Sequence, residues 1–344
     1  YLDVGFFGSE ISTPNLDELA FGGLRFSNLH AMPNCAPTRA MLMSGTTNAE
    51  AGVVGLDDSL RENVASLSER LSAAGYHTYI SGKWNLGYLP EADPTERGFD
   101  RSYVLMKAGD THIGRSTFAG SPPMTRDGFP AYREDGEAAE WWDGWFSSRV
   151  YTDKLMEYIG TNTGDGLPWF GYLAFTAPHW PLMLPDDWLD RYAGRYDEGY
   201  EVLRDGRYEE ARRLGVLPET LELDGYTGEA PSWESLEDEE RRIFRRTMEI
   251  YAGMVENMDM HIGRLIEFLE DAGQLENTVI MFSSDNGASN EPNSFQPRTI
   301  PRTDTDSSFE NIGRSESFFT VGAGWGEAAM APYRGLKGSL HEGG

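Results

Sequence analysis

The sequence predicts an α/β fold, a sheet with helices on its faces. Two observations predict it. Short apolar segments of strand length alternate along the chain with segments of helical periodicity. One stretch, between Ser235 and Asp271, carries a long amphipathic stripe that must pack against a large neighbour. The chain has 344 residues, 39% hydrophobic and 12% aromatic, which is enough to bury a substantial core and argues against disorder.

The elements follow in order. A Gly- and Phe-containing loop opens the chain. Thr13-Pro14 starts a helix, with Thr as N-cap and Pro at the first helical position. Leu16, Leu19 and Ala20 give it an apolar face, and Gly22-Gly23 ends it. Residues Leu24 to Leu29 alternate as a strand would. Ser66-Leu67-Ser68-Glu69 is a capping box that opens a helix running to Gly75. Tyr76 to Ser81 reads as the following strand, Phe146 to Tyr158 as a helix and Trp169 to Phe175 as a buried strand.

In the long helix, Phe244, Met248, Tyr251, Val255, Met258, Ile262, Leu265 and Leu269 recur at steps of three and four. Gly253 and Gly263 mark either close packing or a break into two helices. Gly273 ends the pattern, and Thr278 to Ser283 reads as a core strand leading into Asp285. Residues 107 to 145 and 286 to 330 lack periodicity and are rich in loop-forming residues, a composition often found in pocket walls. No Pro/Ser linker divides the chain, so residues 1–344 are read as one domain.

Composition also limits the function. Lys plus Arg number 29 against 56 Asp plus Glu, a formal net charge of -27. Such a surface repels phosphate backbones and argues against nucleic acid as a partner. Solubility or a saline habitat accounts for the excess, and an anionic substrate would need a local cluster of cations. The single cysteine, Cys35, excludes an internal disulfide. No run of about 18 apolar residues suggests a membrane span. Cytoplasmic and exported locations both stay open, and a soluble monomer is expected.

Five segments carry chemistry. Cys35-Ala36-Pro37-Thr38-Arg39 puts a cysteine at a helix start, with Pro37 in the first turn and Arg39 one turn on. Free N–H groups and the helix dipole favour an anion there. A lone cysteine is more often a small buried hydrophobe, and a plain thiolate nucleophile would need a base. Gly82-Lys83-Trp84-Asn85-Leu86-Gly87 follows a strand, where α/β sites gather, and Lys83 suits an anionic oxygen. Ala177-Pro178-His179-Trp180-Pro181 holds His179 between two prolines. Ser283-Ser284-Asp285-Asn286-Gly287 sets a carboxylate beside an amide, a pairing suited to a hard cation or to an Asx turn. Arg334-Gly335-Leu336-Lys337-Gly338 supplies a further cation, Lys337. Taken singly, Lys83 and Lys337 read equally well as solvated surface lysines.

Together, and in this order, the five segments resemble the formylglycine-dependent (type I) sulfatases, nearest to the bacterial-type arylsulfatases. The first is similar to that family's C-x-P-x-R signature. Thr13-Pro14-Asn15-Leu16-Asp17, Val255-Glu256-Asn257-Met258-Asp259 and Ile262-Gly263-Arg264 extend the likeness as scaffold. The resemblance implies an alkaline-phosphatase-like fold with a large, mostly parallel central sheet and helices on both faces. It implies a sulfuric ester hydrolase in which a formylglycine-generating enzyme oxidises Cys35 to an aldehyde, whose hydrate supplies the attacking oxygen.

The same resemblance implies calcium, held by Asp285, Asn286 and modified Cys35. It gives Arg39 the role of holding the hydrate, Lys83 and Lys337 that of shielding the sulfate, and His179 that of protonating the leaving group. His112, in Gly109-Asp110-Thr111-His112, is a candidate for lining the pocket. The chain departs from the family at Asn85, where the usual pattern has a proton-accepting histidine; Asn cannot act as a base near pH 7. Relative to the family, the aspartate pair before the segment matching Tyr1-Leu2-Asp3-Val4-Gly5 and a small C-terminal antiparallel sheet are expected to lie outside these residues. Little activity is therefore expected of this polypeptide alone. A phosphonate monoester or phosphodiester hydrolase is the alternative activity, and a weakly active protein that binds sulfated ligands is the alternative of another class.

Overall fold

The computed structural model describes residues 1–113, 125–126, 129–139, 144–223, 230–289, 306 and 308–344. These residues form two compact units. The first comprises Tyr1–Pro33, Ala177–Gly263 and Asn286–Gly344, the second Asn34–Thr176 and Arg264–Asp285. The chain passes back and forth between them, so no single linker marks their boundary in the sequence.

The second unit holds the sheet. Strand β1 (His77–Lys83) pairs in parallel with β2 (Arg101–Leu105) and, on its other edge, with a strand at Trp169–Ala174. Two short antiparallel strands, Tyr132–Glu134 and Glu137–Ala138, extend the sheet beyond β2. A small hairpin, β3 (Thr125–Arg126) with β4 (Phe129–Pro130), is separate. With the chain-order labels β5, β6 and β7 for Tyr132–Glu134, Glu137–Ala138 and Trp169–Ala174, the strand order is β6-β5-β2-β1-β7. The parallel core agrees with expectation; the antiparallel edge falls in the aperiodic 107–145 region and makes the sheet mixed.

Alternation along β1 explains the two layers around it. Ile80 points into a cluster with Val104 and with Ala36, Ala40 and Met43 of one helix. Tyr79 enters the opposite cluster, with Tyr103, Leu105, Val150, Tyr151 and Leu269. The first of those faces is covered by α2 (Cys35–Ser44), by α3 (Asn48–Ala51) and by α4 (Leu67–Ala73). The second is covered by α5 (Ser147–Thr161). Both halves of the capping box are present at Ser66 and Glu69, so α4 starts where the sequence places it.

Gly82, near the end of β1, has φ +117°, a region open to glycine. A Cβ there would stand 2.0 Å from the Ala174 carbonyl oxygen, so the close approach of β1 and β7 requires this glycine.

The first unit is built from α1 (Pro14–Gly22), α6 (Tyr200–Arg213), α8 (Ala323–Met330) and much of α7 (Asp238–Asp271). Helix α1 starts at Pro14 as expected, but Thr13 makes no side-chain cap. Asp259 of α7 does that work instead, accepting from the Asn15 and Leu16 amides at 3.2 and 2.8 Å. Helix α7 is continuous for 34 residues. Its glycines mark close packing: a Cβ at Gly253 would meet Leu184 at 2.5 Å, and one at Gly263 would meet Asn15 at 2.4 Å.

Two expected strands do not form. Leu24 to Leu29 is irregular, and Leu24, Phe26 and Leu29 are exposed. Thr278 to Ser283 is also outside any strand, with Val279 88% and Met281 82% exposed. An apolar run expresses a preference for a central strand, but the ladder needs neighbours. Among the described residues, no strand pairs with either segment.

Candidate active site

Cys35 is the first residue of α2, where the sequence puts a helix N-terminus, and it is buried at 1% exposure. Its thiol donates to Asn85 Oδ1 at 3.0 Å. The amide of Asn85 in turn donates through Nδ2 to the Leu56 carbonyl at 3.0 Å. Asn85 takes φ +56°, a left-handed conformation that Asn tolerates better than most residues. Backbone and side chain thus aim its carbonyl oxygen at residue 35.

Arg39, one turn along α2, is also buried, and its guanidinium is bonded on several sides. Its Nε donates to Asp285 Oδ2 at 3.0 Å; one terminal nitrogen donates to the Lys83 carbonyl at 2.7 Å and to the Tyr172 hydroxyl at 3.0 Å. Burial works against its charge, yet Tyr172, Asp285 and Cys35 outweigh burial and hold the guanidinium still more firmly protonated. The Tyr172 hydroxyl is pushed up by burial, against the pull of Arg39, so it stays a neutral phenol.

Lys83, buried at the end of β1, puts Nζ 3.8 Å from the same Asp285 oxygen. The second unit therefore brings together Cys35, Arg39, Lys83, Asn85 and Asp285, from segments as far as 250 residues apart. Two buried cations face one partly exposed carboxylate beside a cysteine at a helix start. Charge-assisted bonds of this kind are the strong ones, and the interior amplifies them.

His112 lies in the same unit and is wholly buried, its Nδ1 2.7 Å from Ser147 Oγ at the start of α5.

His179, Asn286 and Lys337 belong to the first unit. His179 is half-buried, its ring against Trp180 with centroids 4.7 Å apart. Its Nδ1 lies 2.7 Å from the Trp180 carbonyl oxygen. A carbonyl only accepts, so Nδ1 carries the proton of this bond. Asn286 donates through Nδ2 to the Gly287 carbonyl at 2.9 Å. Lys337 is half-buried, and its backbone N–H donates to the Ala288 carbonyl at 2.8 Å. Its neighbour Leu336 is buried in a cluster with Ala230, Ala323 and Met330.

Sequence reasoning missed Tyr172 and the carbonyls of Leu56 and Lys83. Tyr172 sits in a segment read only as a buried strand. Backbone carbonyls carry no sequence signal at all.

The sulfatase family model matches residues 1–311. An uncharacterized sulfatase of Schizosaccharomyces pombe is 38% identical, over 99% of this chain and 66% of that protein. An arylsulfatase of Klebsiella aerogenes is 35% identical, over 97% of this chain and 74% of that protein. Among solved structures, Ps i-CgsB in complex with k-i-k-neocarrahexaose superposes with a TM-score of 0.65 at 22% identity, over 100% of this chain and 61% of that one. The chain thus spans about two thirds of the length of these proteins.

Proposed function

Because this chain belongs to the sulfatase family and has its alkaline-phosphatase-like fold, we propose that the protein carrying it hydrolyses sulfate monoesters as an arylsulfatase does, with residue 35 as the source of the nucleophile. The single observation that carries this reading is a buried cysteine at the N-terminus of α2, bonded to Asn85, in the same unit as the linked charges of Arg39, Lys83 and Asp285.

Hydrolysis at sulfur needs a nucleophile, shielding of the sulfate charge and a proton for the leaving oxygen. Formylglycine, made from Cys35 by a formylglycine-generating enzyme, would supply an oxygen nucleophile in place of the thiol. The surroundings of Cys35 fit it: a helix N-terminus, an acceptor at 3.0 Å and a fixed guanidinium suit oxygen atoms on Cβ. Lys83 and Lys337 offset negative charge on the sulfuryl oxygens. Arg39 holds residue 35 and Asp285 in fixed relation. His179, with Nδ1 committed to a carbonyl, presents Nε2 as the group that gives a proton to the departing alcohol or phenol.

Calcium is the metal this reading implies. Asp285 and Asn286 supply hard oxygen atoms of the right kind, with residue 35 as a third ligand. That is short of the six to eight ligands calcium takes, and the described residues contain no group of three His, Cys, Asp or Glu side chains arranged for a metal. The donor set among the described residues is incomplete.

The test compares turnover of an aryl sulfate with that of an aryl phosphonate monoester by the protein carrying this chain, made with the modifying enzyme. A preference for the sulfate is expected, with turnover lost in Cys35→Ala. A phosphonate preferred by orders of magnitude would overturn the sulfatase reading.

A further inference from the structure

We infer that Asn85 is a positioning residue that favours the hydrated over the free-aldehyde form of residue 35; the inference rests on the proposed conversion of Cys35 to formylglycine. Its basis is the direction of two hydrogen bonds. Asn85 Nδ2 is committed to the Leu56 carbonyl, which leaves Oδ1 as the atom turned toward residue 35. An amide oxygen only accepts. Buried at 1% exposure, it rewards a donor on the residue-35 side chain and disfavours another acceptor.

An aldehyde oxygen is an acceptor only. In hydration, water's oxygen bonds to the carbonyl carbon, the carbonyl π bond breaks, and a proton passes to the former carbonyl oxygen. The product bears two hydroxyl groups. One can donate to Asn85 Oδ1 while the other accepts from the helix N-terminus and the cation at Arg39, whose charge is felt at residue 35. The site sets an acceptor, Asn85 Oδ1, against residue 35, and only the hydrate brings a hydroxyl that can donate to it. Asn85 performs this without being able to take a proton, so it sets the resting form of the side chain and not its later deprotonation.

The experiment uses the full chain made with the modifying enzyme and with carbon-13 at Cβ of its one cysteine. The ratio of gem-diol to carbonyl resonances reads the hydration equilibrium directly, apart from turnover. Asn85→Gly removes the acceptor and suits the left-handed backbone; the carbonyl fraction should rise relative to the diol by about fivefold, the size of one net hydrogen bond. Asn85→Asp retains an acceptor oxygen and should restore the diol. Asn85→Ala, read in the same way, replaces the glycine variant if that one does not fold. An unchanged ratio in a variant lacking the acceptor would overturn the inference while leaving the nucleophile assignment intact. A Cβ signal of unmodified cysteine would instead sink the parent reading.

Discussion

At the scale of single residues, the arrangement depends on Arg39. Its guanidinium joins α2 to the end of β1, to β7 and to Asp285 through three bonds that a lysine could not reproduce, because only the planar fork reaches several acceptors at fixed angles. Removing one partner of a buried ion pair costs ~3–5 kcal/mol, less here because Asp285 is 29% exposed and keeps Lys83 at 3.8 Å. Arg39→Ala is expected to lower unfolding free energy by about 2–3 kcal/mol in urea titration. A change under about 0.5 kcal/mol, the level of an ordinary surface substitution, would mean that Arg39 does not hold the site. The C-x-P-x-R segment was legible in the sequence because helix geometry fixes residues 35, 37 and 39 relative to one another. Three of the partners of Arg39 and Asn85 were not, because two are backbone carbonyls and the third is a tyrosine on a strand that reads as plain core.

At the scale of elements, caps and periodicities located most helices. The capping box at Ser66 and the stripe of α7 are local patterns, and each appears as expected. Elements whose stability comes from neighbours were harder to read. Helices α6 and α8 and strand β2 passed unnoticed, and the apolar runs at 24–29 and 278–283 promised strands that do not pair. The α1 cap shows the same limit: Thr13 has the right residue type, yet a carboxylate some 240 residues away in sequence takes the position. This contact sets up a prediction for Gly263. In an exposed helix, Gly→Ala stabilises by about 1 kcal/mol. Here the new methyl would press on Asn15, which bonds Asp259 through Nδ2 at 2.7 Å. Gly263→Ala should therefore destabilise by about 1–3 kcal/mol, the range for overpacking. Thermal melting of the two proteins checks it, and a rise in Tm would contradict the packing assigned to this glycine.

At the scale of the molecule, the first unit is held together by a buried charge network. Arg207 donates to Asp3 at 2.7 Å and to Glu10 at 2.7 and 2.9 Å, while Tyr251 and Tyr196 donate to the same two carboxylates. Burial pushes the Glu10 carboxyl up, but Arg207 and Tyr196 more than reverse it, so its folded-state pKa lies below the usual value. The sign follows: stability from this group is fully present above the unfolded-state pKa of about 4.3 and is lost as pH falls through the lower folded value. Urea unfolding as a function of pH should show stability falling below about pH 4.5, with a shallower fall in Glu10→Gln. Equal slopes in the two proteins would show that Glu10 is not a source of the acid sensitivity.

In the proposed mechanism, activity depends on residue 35 more than on any other position. The deciding measurement is peptide mass spectrometry across Cys35 in protein made with a formylglycine-generating enzyme. A peptide whose mass shows the thiol replaced by an aldehyde is the expected result. A peptide bearing intact cysteine, in protein that nonetheless hydrolyses an aryl sulfate, would contradict the role given to residue 35.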